Sequence, residues 1–279
     1  MDLEEYRRTT RQAWGSVAPA WERWRAYAET CYGPVREWLL RELAPQPGDT
    51  VLELSAGGGE TGLQAALAVG DTGRLISTDF APEMVEASRR RGAELGVENA
   101  EYRVLDAEHL DLADASVDRV LCRFGYMLMA DTAAALGETR RVLRGGGRLA
   151  FAVWGPGERN PWGTIRSQTL IERGHMQPPE PGAPGPFTMG SAERTRGLLE
   201  QAGFRQVGLE EVPVRLPFRG VEAYVAWGIE VSPGFASALA QVSEDERASL
   251  QAEMGERLAA FTTPQGLELP GVVLCAAAE

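Results

Sequence analysis

Apolar residues in the first fifty positions recur at helical spacing. Pro34 opens one such segment, in which Val35, Trp38, Leu39 and Leu43 share a stripe, and Pro45-Gln46-Pro47-Gly48-Asp49 ends it. The period then changes. Short apolar runs at Thr50 to Leu54, Arg74 to Thr78, Glu101 to Leu105, Arg119 to Arg123 and Arg148 to Trp154 read as strands. Amphipathic stretches between them read as helices: Glu60 to Val69, Pro82 to Leu95 closed by Gly96, and about Thr132 to Leu143 ended by Gly145-Gly146-Gly147. Strands alternating with helices imply βαβ units, a parallel sheet and right-handed crossovers.

Beyond Trp154 the pattern loosens. Gly155 to Gly190 is rich in proline and glycine, including Pro178-Pro179-Glu180-Pro181-Gly182, and reads as an excursion from the sheet. Ser191 caps a helix running through Leu198, Leu199 and Ala202 to Gly203. Val212, Val214, Leu216 and Phe218 then alternate as a half-buried strand. A second helical insertion, Val221 to Ala260, holds the capping box Ser243-Glu244-Asp245-Glu246, and Leu267 to Ala277, broken by Pro270-Gly271, closes the chain as a late edge strand.

Composition narrows the partners. The 279 residues carry 28 Lys+Arg against 40 Asp+Glu, a net charge of −12, and every basic side chain is arginine. Such a chain repels nucleic acid and anionic lipid at long range, which favours small uncharged or cationic partners. No apolar run reaches membrane-spanning length, and Met1 to Arg11 is too polar for a signal peptide, so the expectation is a cytoplasmic protein without membrane insertion. Cys31, Cys122 and Cys275 are far apart and odd in number, and only His109 and His175 add imidazoles. Neither a disulfide framework nor a metal site is expected.

The chemistry concentrates at Val51-Leu52-Glu53-Leu54-Ser55-Ala56-Gly57-Gly58-Gly59-Glu60-Thr61-Gly62, a strand passing through a glycine turn into a helix. Glycines let a ligand approach the backbone, and the helix start offers unpaired N–H groups. Gly57, Gly59 and Gly62 satisfy a dinucleotide GxGxxG, with Asp79 20 residues after Gly59. A tight βα turn without a ligand satisfies the same spacing. Glu60, which would stand close to a pyrophosphate, counts against a dinucleotide. Downstream, Leu105-Asp106-Ala107-Glu108 and Ser116-Val117-Asp118 set further acidic residues beside successive strands, and the carboxyl ends of such strands are where open parallel sheets bind ligands.

With these motifs in order, the chain resembles class I S-adenosylmethionine-dependent methyltransferases, especially the bacterial small-molecule group similar to ubiquinone/menaquinone C-methyltransferases. The resemblance rests on Val51 to Gly59, Asp79-Phe80-Ala81-Pro82-Glu83-Met84, Asp106-Ala107-Glu108, Ser116-Val117-Asp118 and Arg140-Arg141-Val142-Leu143-Arg144-Gly145-Gly146-Gly147-Arg148-Leu149, over about residues 50 to 154. It implies a Rossmann-like, mainly parallel seven-stranded α/β sheet with helices on both faces and an antiparallel last strand. It also implies one methyltransferase domain over 1–279: an N-terminal helical cap (1–48), a cofactor-binding core (49–154), substrate-lid insertions (155–190 and 221–262) and final strands (203–218 and 267–277).

The resemblance further implies S-adenosylmethionine as cofactor. Gly57 and Gly59 would meet it through the backbone, beside Glu53 and Ser55. Asp79 would accept its ribose hydroxyls, and Asp106 and the Ala107 amide, next to Glu108, would face the adenine. Phe80 and Met84 would close that pocket, or belong to the core. Arg123 and Phe124 would line the floor between cofactor and acceptor, unless Arg123 only pairs with a nearby acid. Ser55 departs from the family, which usually has glycine there. Trp14, Trp21 and Trp24 are candidates for a lid over the cofactor or for core positions. Trp21, Tyr126, Trp154 and His175 are the candidate acceptor-binding residues, His175 being also a candidate base or simply an exposed loop residue.

Cys122-Arg123-Phe124-Gly125-Tyr126 lacks the Asn/Asp-Pro-Pro-aromatic motif of amino-methylating nucleic-acid enzymes, and no Pro-Cys dipeptide marks a pyrimidine nucleophile. An apolar or aromatic small molecule, methylated on oxygen, carbon or nitrogen, is therefore the expected acceptor, with no catalytic residue assigned. Two readings stay beside it. One is a noncatalytic S-adenosylmethionine-binding protein. The other is an NAD-dependent oxidoreductase, which a chain without lysine cannot equip with a Tyr/Lys proton relay.

Overall fold

A computed structural model describes residues 2–279. Two long helices come first, α1 (Leu3–Arg23) and α2 (Arg25–Leu43). Asp2 caps α1 by accepting from the Glu4 and Glu5 amides. Pro34 lies inside α2 rather than at its start, as Pro19 lies inside α1. The alternating core follows: β1 (Thr50–Leu54), α3 (Glu60–Val69), β2 (Arg74–Asp79), α4 (Pro82–Leu95), β3 (Ala100–Val104), β4 (Val117–Arg123), α5 (Thr132–Val142) and β5 (Leu143–Trp154). β5 begins five residues earlier than the apolar run suggested. Its glycines take it through an irregularity, Gly146 at φ +76°, where the pairing with β4 shifts register between Val117 and Arg119.

The remaining elements are α6 (Pro161–Glu172), α7 (Ala192–Gln201), β6 (Gly208–Phe218), α8 (Val221–Val231), α9 (Pro233–Ala240), α10 (Glu244–Leu258), β7 (Thr262–Thr263) and β8 (Gly266–Ala278). Ser191 and Ser243 cap α7 and α10 as their positions predict. α6 is the element the Pro/Gly-rich stretch concealed. Pro161 sits in its first turn, where proline's missing N–H costs nothing, and Trp162, Ile165, Arg166 and Thr169 form its buried stripe.

The sheet order is β3-β2-β1-β4-β5-β8-β6, with the two-residue β7 added to β8. β1 through β5 are parallel, and β8 runs antiparallel between β5 and β6. β1 is wholly buried, because it lies centrally with helices covering both faces. The order reverses between β1 and β4, so right-handed crossovers send α3 and α4 to one face and α5 to the other. A crevice opens there at the carboxyl ends.

Pro270-Gly271 does not break β8. The N–H and C=O of Val272 point away from β6, toward Asn160 and Gly155. Two residues earlier Pro270 turns its nitrogen the same way, beyond the end of β5 where no strand needs a donor. Asn160 is fully buried and joins the exit of β5, the start of α6 and β8. Its amide nitrogen donates to the Gly155, Pro156 and Val272 carbonyls at 3.0–3.2 Å, and its oxygen accepts from Trp162 Nε1 and Val272 N.

Candidate functional site

The crevice is built on the turn after β1. Ser55, Gly57 and Gly59 all have left-handed backbones, at φ +52°, +53° and +81°. Glycine adopts this freely, whereas a serine there costs roughly 1–2 kcal/mol. Ser55 stays because it is packed: a Cβ at Gly125 would come within 2.6 Å of its hydroxyl, so the β1 and β4 turns close on each other. Gly57 faces open space, a backbone cradle with nothing within 4 Å of where its Cβ would be. Gly59 has a different reason, since a Cβ there would run into the Ser88 side chain.

Two buried carboxylates organise this turn. Glu53 accepts from the Gly62 amide at 2.7 Å, tying β1 to the first turn of α3, and burial pushes its pKa up to about 8. Asp79, at the end of β2, accepts from the Gly57 amide at 3.0 Å and the Ala81 amide at 3.0 Å. Burial pushes it up to about 6 against those donors. Beyond β3, Asp106 is half-exposed and accepts from the Glu108 amide at 2.9 Å, while Ala107 is buried. Beyond β4, Arg123 reaches Glu29 of α2 at 3.5 Å, and Glu29 also pairs with Arg36.

α1 crosses above. Val17 and Ala18 pack on Ala81 and Met84, with Trp14, Trp21 and Phe80 around them, a small apolar cluster separate from the main core. The helix is pinned at both ends. Arg7 donates to Glu108 at 2.6 Å and the Tyr6 hydroxyl to the Leu128 carbonyl at 2.9 Å, while Arg23 and Trp24 both reach Glu230 of α8.

Past the ends of β4 and β5 lies a largely buried cluster of aromatic rings. Phe124 stacks on Trp154 with centroids 4.9 Å apart, Tyr32 meets both edge-on, and Trp154 touches Trp162 of α6 at 4.4 Å. Phe218, Tyr27 and Trp227 continue the cluster.

Glu53, Ser55, Gly57, Gly59, Asp79 and Phe80 thus stand together, with Asp106, Ala107, Arg123 and Phe124 beside them at the neighbouring strand ends. Three expected residues do not join them. Glu108 is buried, and its carboxylate is consumed by Arg7 and by the Ala130 amide at 2.7 Å. Tyr126 is fully buried, its hydroxyl 2.7 Å from Thr139 and its ring against Phe151, because the turn after β4 folds its side chain into the core. His175 lies past the far end of α6, about 18 Å of helix from Pro161, and contacts Glu246 of α10 at 3.2 Å. The sequence reading missed Tyr32, Trp162 and Trp227. Trp162 shares a helical stripe with Ile165, Arg166 and Thr169 that period alone could have revealed.

Residues 52–151 match the family model described as a methyltransferase domain. The methyltransferase ucsB of an Acremonium species is 28% identical over 212 residues, 73% of this chain and 70% of that protein. The ubiquinone/menaquinone biosynthesis C-methyltransferase of Haemophilus ducreyi is 38% identical over 103 residues, 37% of this chain and 40% of that one. The chain spans 28% to 45% of the length of several other curated relatives it matches. A crystal structure of a putative methyltransferase from Bacillus halodurans superposes with a TM-score of 0.59 at 18% identity, covering 87% of this chain and 97% of that one. The open Gly57 cradle beside the Asp79 carboxylate suits a ribose-bearing ligand, and the sheet order, the glycine turn and these likenesses converge: residues 52–151 match a methyltransferase domain, and the chain has the class I S-adenosylmethionine-dependent methyltransferase fold.

Proposed function

We propose that this protein methylates an apolar, ring-bearing small molecule, with S-adenosylmethionine held across the carboxyl ends of β1 to β4. The observation that carries this reading is the aromatic wall of Phe124, Trp154, Trp162 and Tyr32 directly beyond the turn formed by Ser55 and Gly125. S-adenosylmethionine, when bound, supplies an electrophilic sulfonium methyl group. The chain's own contribution is to bind, orient and exclude water. Asp79 accepts the ribose hydroxyls, the Gly57 backbone gives close approach, and the α1 cluster around Trp21, Phe80 and Met84 covers the adenine side. The aromatic wall holds the acceptor face-on, and its rings, now in mutual contact, part to admit it. With His175 and Tyr126 engaged elsewhere, rate comes from positioning, and an acceptor that must lose a proton loses it to solvent before the site closes over it.

The test is calorimetric titration with S-adenosylmethionine, S-adenosylhomocysteine and NAD, followed by turnover on phenols, quinols, amines and carbon acids. Binding of the first two and methylation of a ring-bearing acceptor are expected. Binding of NAD alone, or cofactor binding with no turnover on any acceptor class, overturns the proposal.

A further inference from the structure

Arg166 is a charged group caged by aromatic rings, and among the described residues it has no carboxylate partner. Its side chain is 4% exposed, and Nε and Nη1 are buried without a hydrogen-bond partner. Four rings surround the guanidinium: Trp227 at 4.9 Å, Phe235 at 5.1 Å, Tyr224 at 5.3 Å and Trp162 at 5.8 Å. The titratable groups facing it are the hydroxyls of Tyr224, Tyr32 and Tyr27, with no carboxylate among them, and the Tyr27 hydroxyl is itself buried and unpartnered. The cage is built for this side chain, since any residue larger than glycine at 228 would collide with the guanidinium.

Cation–π contacts contribute to holding a guanidinium but leave its donors unsatisfied, and burying a charge without an acceptor is costly. A fold that keeps such a group beside the wall proposed for the acceptor, when methionine would fill the same volume, is storing an anion receptor. We infer that the acceptor is an apolar ring-bearing carboxylate, whose carboxylate oxygens accept from Arg166 while its rings lie against Trp162 and Trp154. This deepens the proposed function and rests on it. Trp162 connects the two ends of the site, contacting Trp154 on one side and Arg166 on the other. The net charge of −12 repels an anion at long range, so a buried cation without a carboxylate partner supplies the local attraction that the surface lacks.

The experiment uses the full chain saturated with S-adenosylhomocysteine and titrates 3-hydroxy-2-naphthoic acid against its neutral carboxamide. The parent should bind the acid at least tenfold more tightly than the amide. Arg166→Met should abolish that preference, with amide affinity within twofold of the parent, and Arg166→Lys should retain part of it. Ligand-free Arg166→Met should also melt a few degrees higher than the parent, because an unsatisfied buried charge is gone. A parent without preference for the acid, failure of the acid to bind at 1 mM, or a lower melting temperature in Arg166→Met overturns the inference. Failure of S-adenosylhomocysteine itself to bind instead removes the methyltransferase reading beneath it.

Discussion

Asp79 holds two turns together at the place where the proposed site needs a carboxylate. Its two oxygens take one amide from each flanking turn, at Gly57 and Ala81, which fixes the carboxylate at the strand end while burial raises it to about 6. In the proposed site, ribose hydroxyls would donate to the ionised form. Affinity for S-adenosylhomocysteine should therefore fall about tenfold per pH unit below 6, and level off above it, once the contribution of other groups is subtracted. Asp79→Asn should weaken binding by about 1.5–3 kcal/mol at pH 8 and remove that acid limb. Calorimetry between pH 5 and 8 decides the matter, since an Asn variant with the parent's slope leaves Asp79 out of the site. The position of Asp79 at a strand end beside the glycine turn was legible because apolar run and spacing agreed. The partners of Glu108 and Tyr126 were not legible, because sequence shows that a polar side chain follows a strand, and the partner that takes it, Arg7 or Thr139, comes from another element.

Among the elements, α1 lies over Phe80, Ala81 and Met84, the edge that the proposed cofactor would occupy. Its buried residues are small, Gly15, Val17, Ala18 and Ala20, so polar contacts at its ends carry much of its position. The buried Glu108 carboxylate serves both Arg7 and the Ala130 amide, and each charge-assisted bond is worth about 1.5–3 kcal/mol when its partner is left unpaired. Glu108→Ala should speed amide exchange across residues 3–23 at least tenfold and shorten cofactor residence, while exchange in β1, β4 and β5 stays unchanged. Hydrogen exchange read by mass spectrometry checks this, and unaltered exchange in α1 would show that its apolar contacts suffice. Most elements could be read from period and caps, including α3 and α4 to the residue. α6 was hidden because proline and glycine mark turns on average, and that signal masked the helical period of Trp162, Ile165, Arg166 and Thr169.

At the scale of the whole molecule, Glu53 links stability to pH. In the unfolded chain a glutamate ionises near 4.5, whereas burial holds Glu53 protonated to about 8. Between those values the folded state carries the extra proton. Stability should therefore fall as pH rises through the window, by at most about 1.4 kcal/mol per unit from this group, and flatten above 8. Urea midpoints of Glu53→Gln and the parent should diverge in favour of the glutamine from pH 5 to 8, with the repulsion of the −12 net charge cancelling in the difference. A constant gap would mean that Glu53 is ionised throughout. The sequence by itself determined the parallel α/β class, the positions of β1 to β4 and the glycine turn with its acid, because these depend on short-range periodicity and on backbone angles that few residues adopt. Only the tertiary structure decided that β8 passes intact between β5 and β6, that His175 stands remote from the crevice, and that Arg166 is caged without a counter-ion. Each depends on which distant residues supply a donor, an acceptor or a ring, and that is set when separate elements pack.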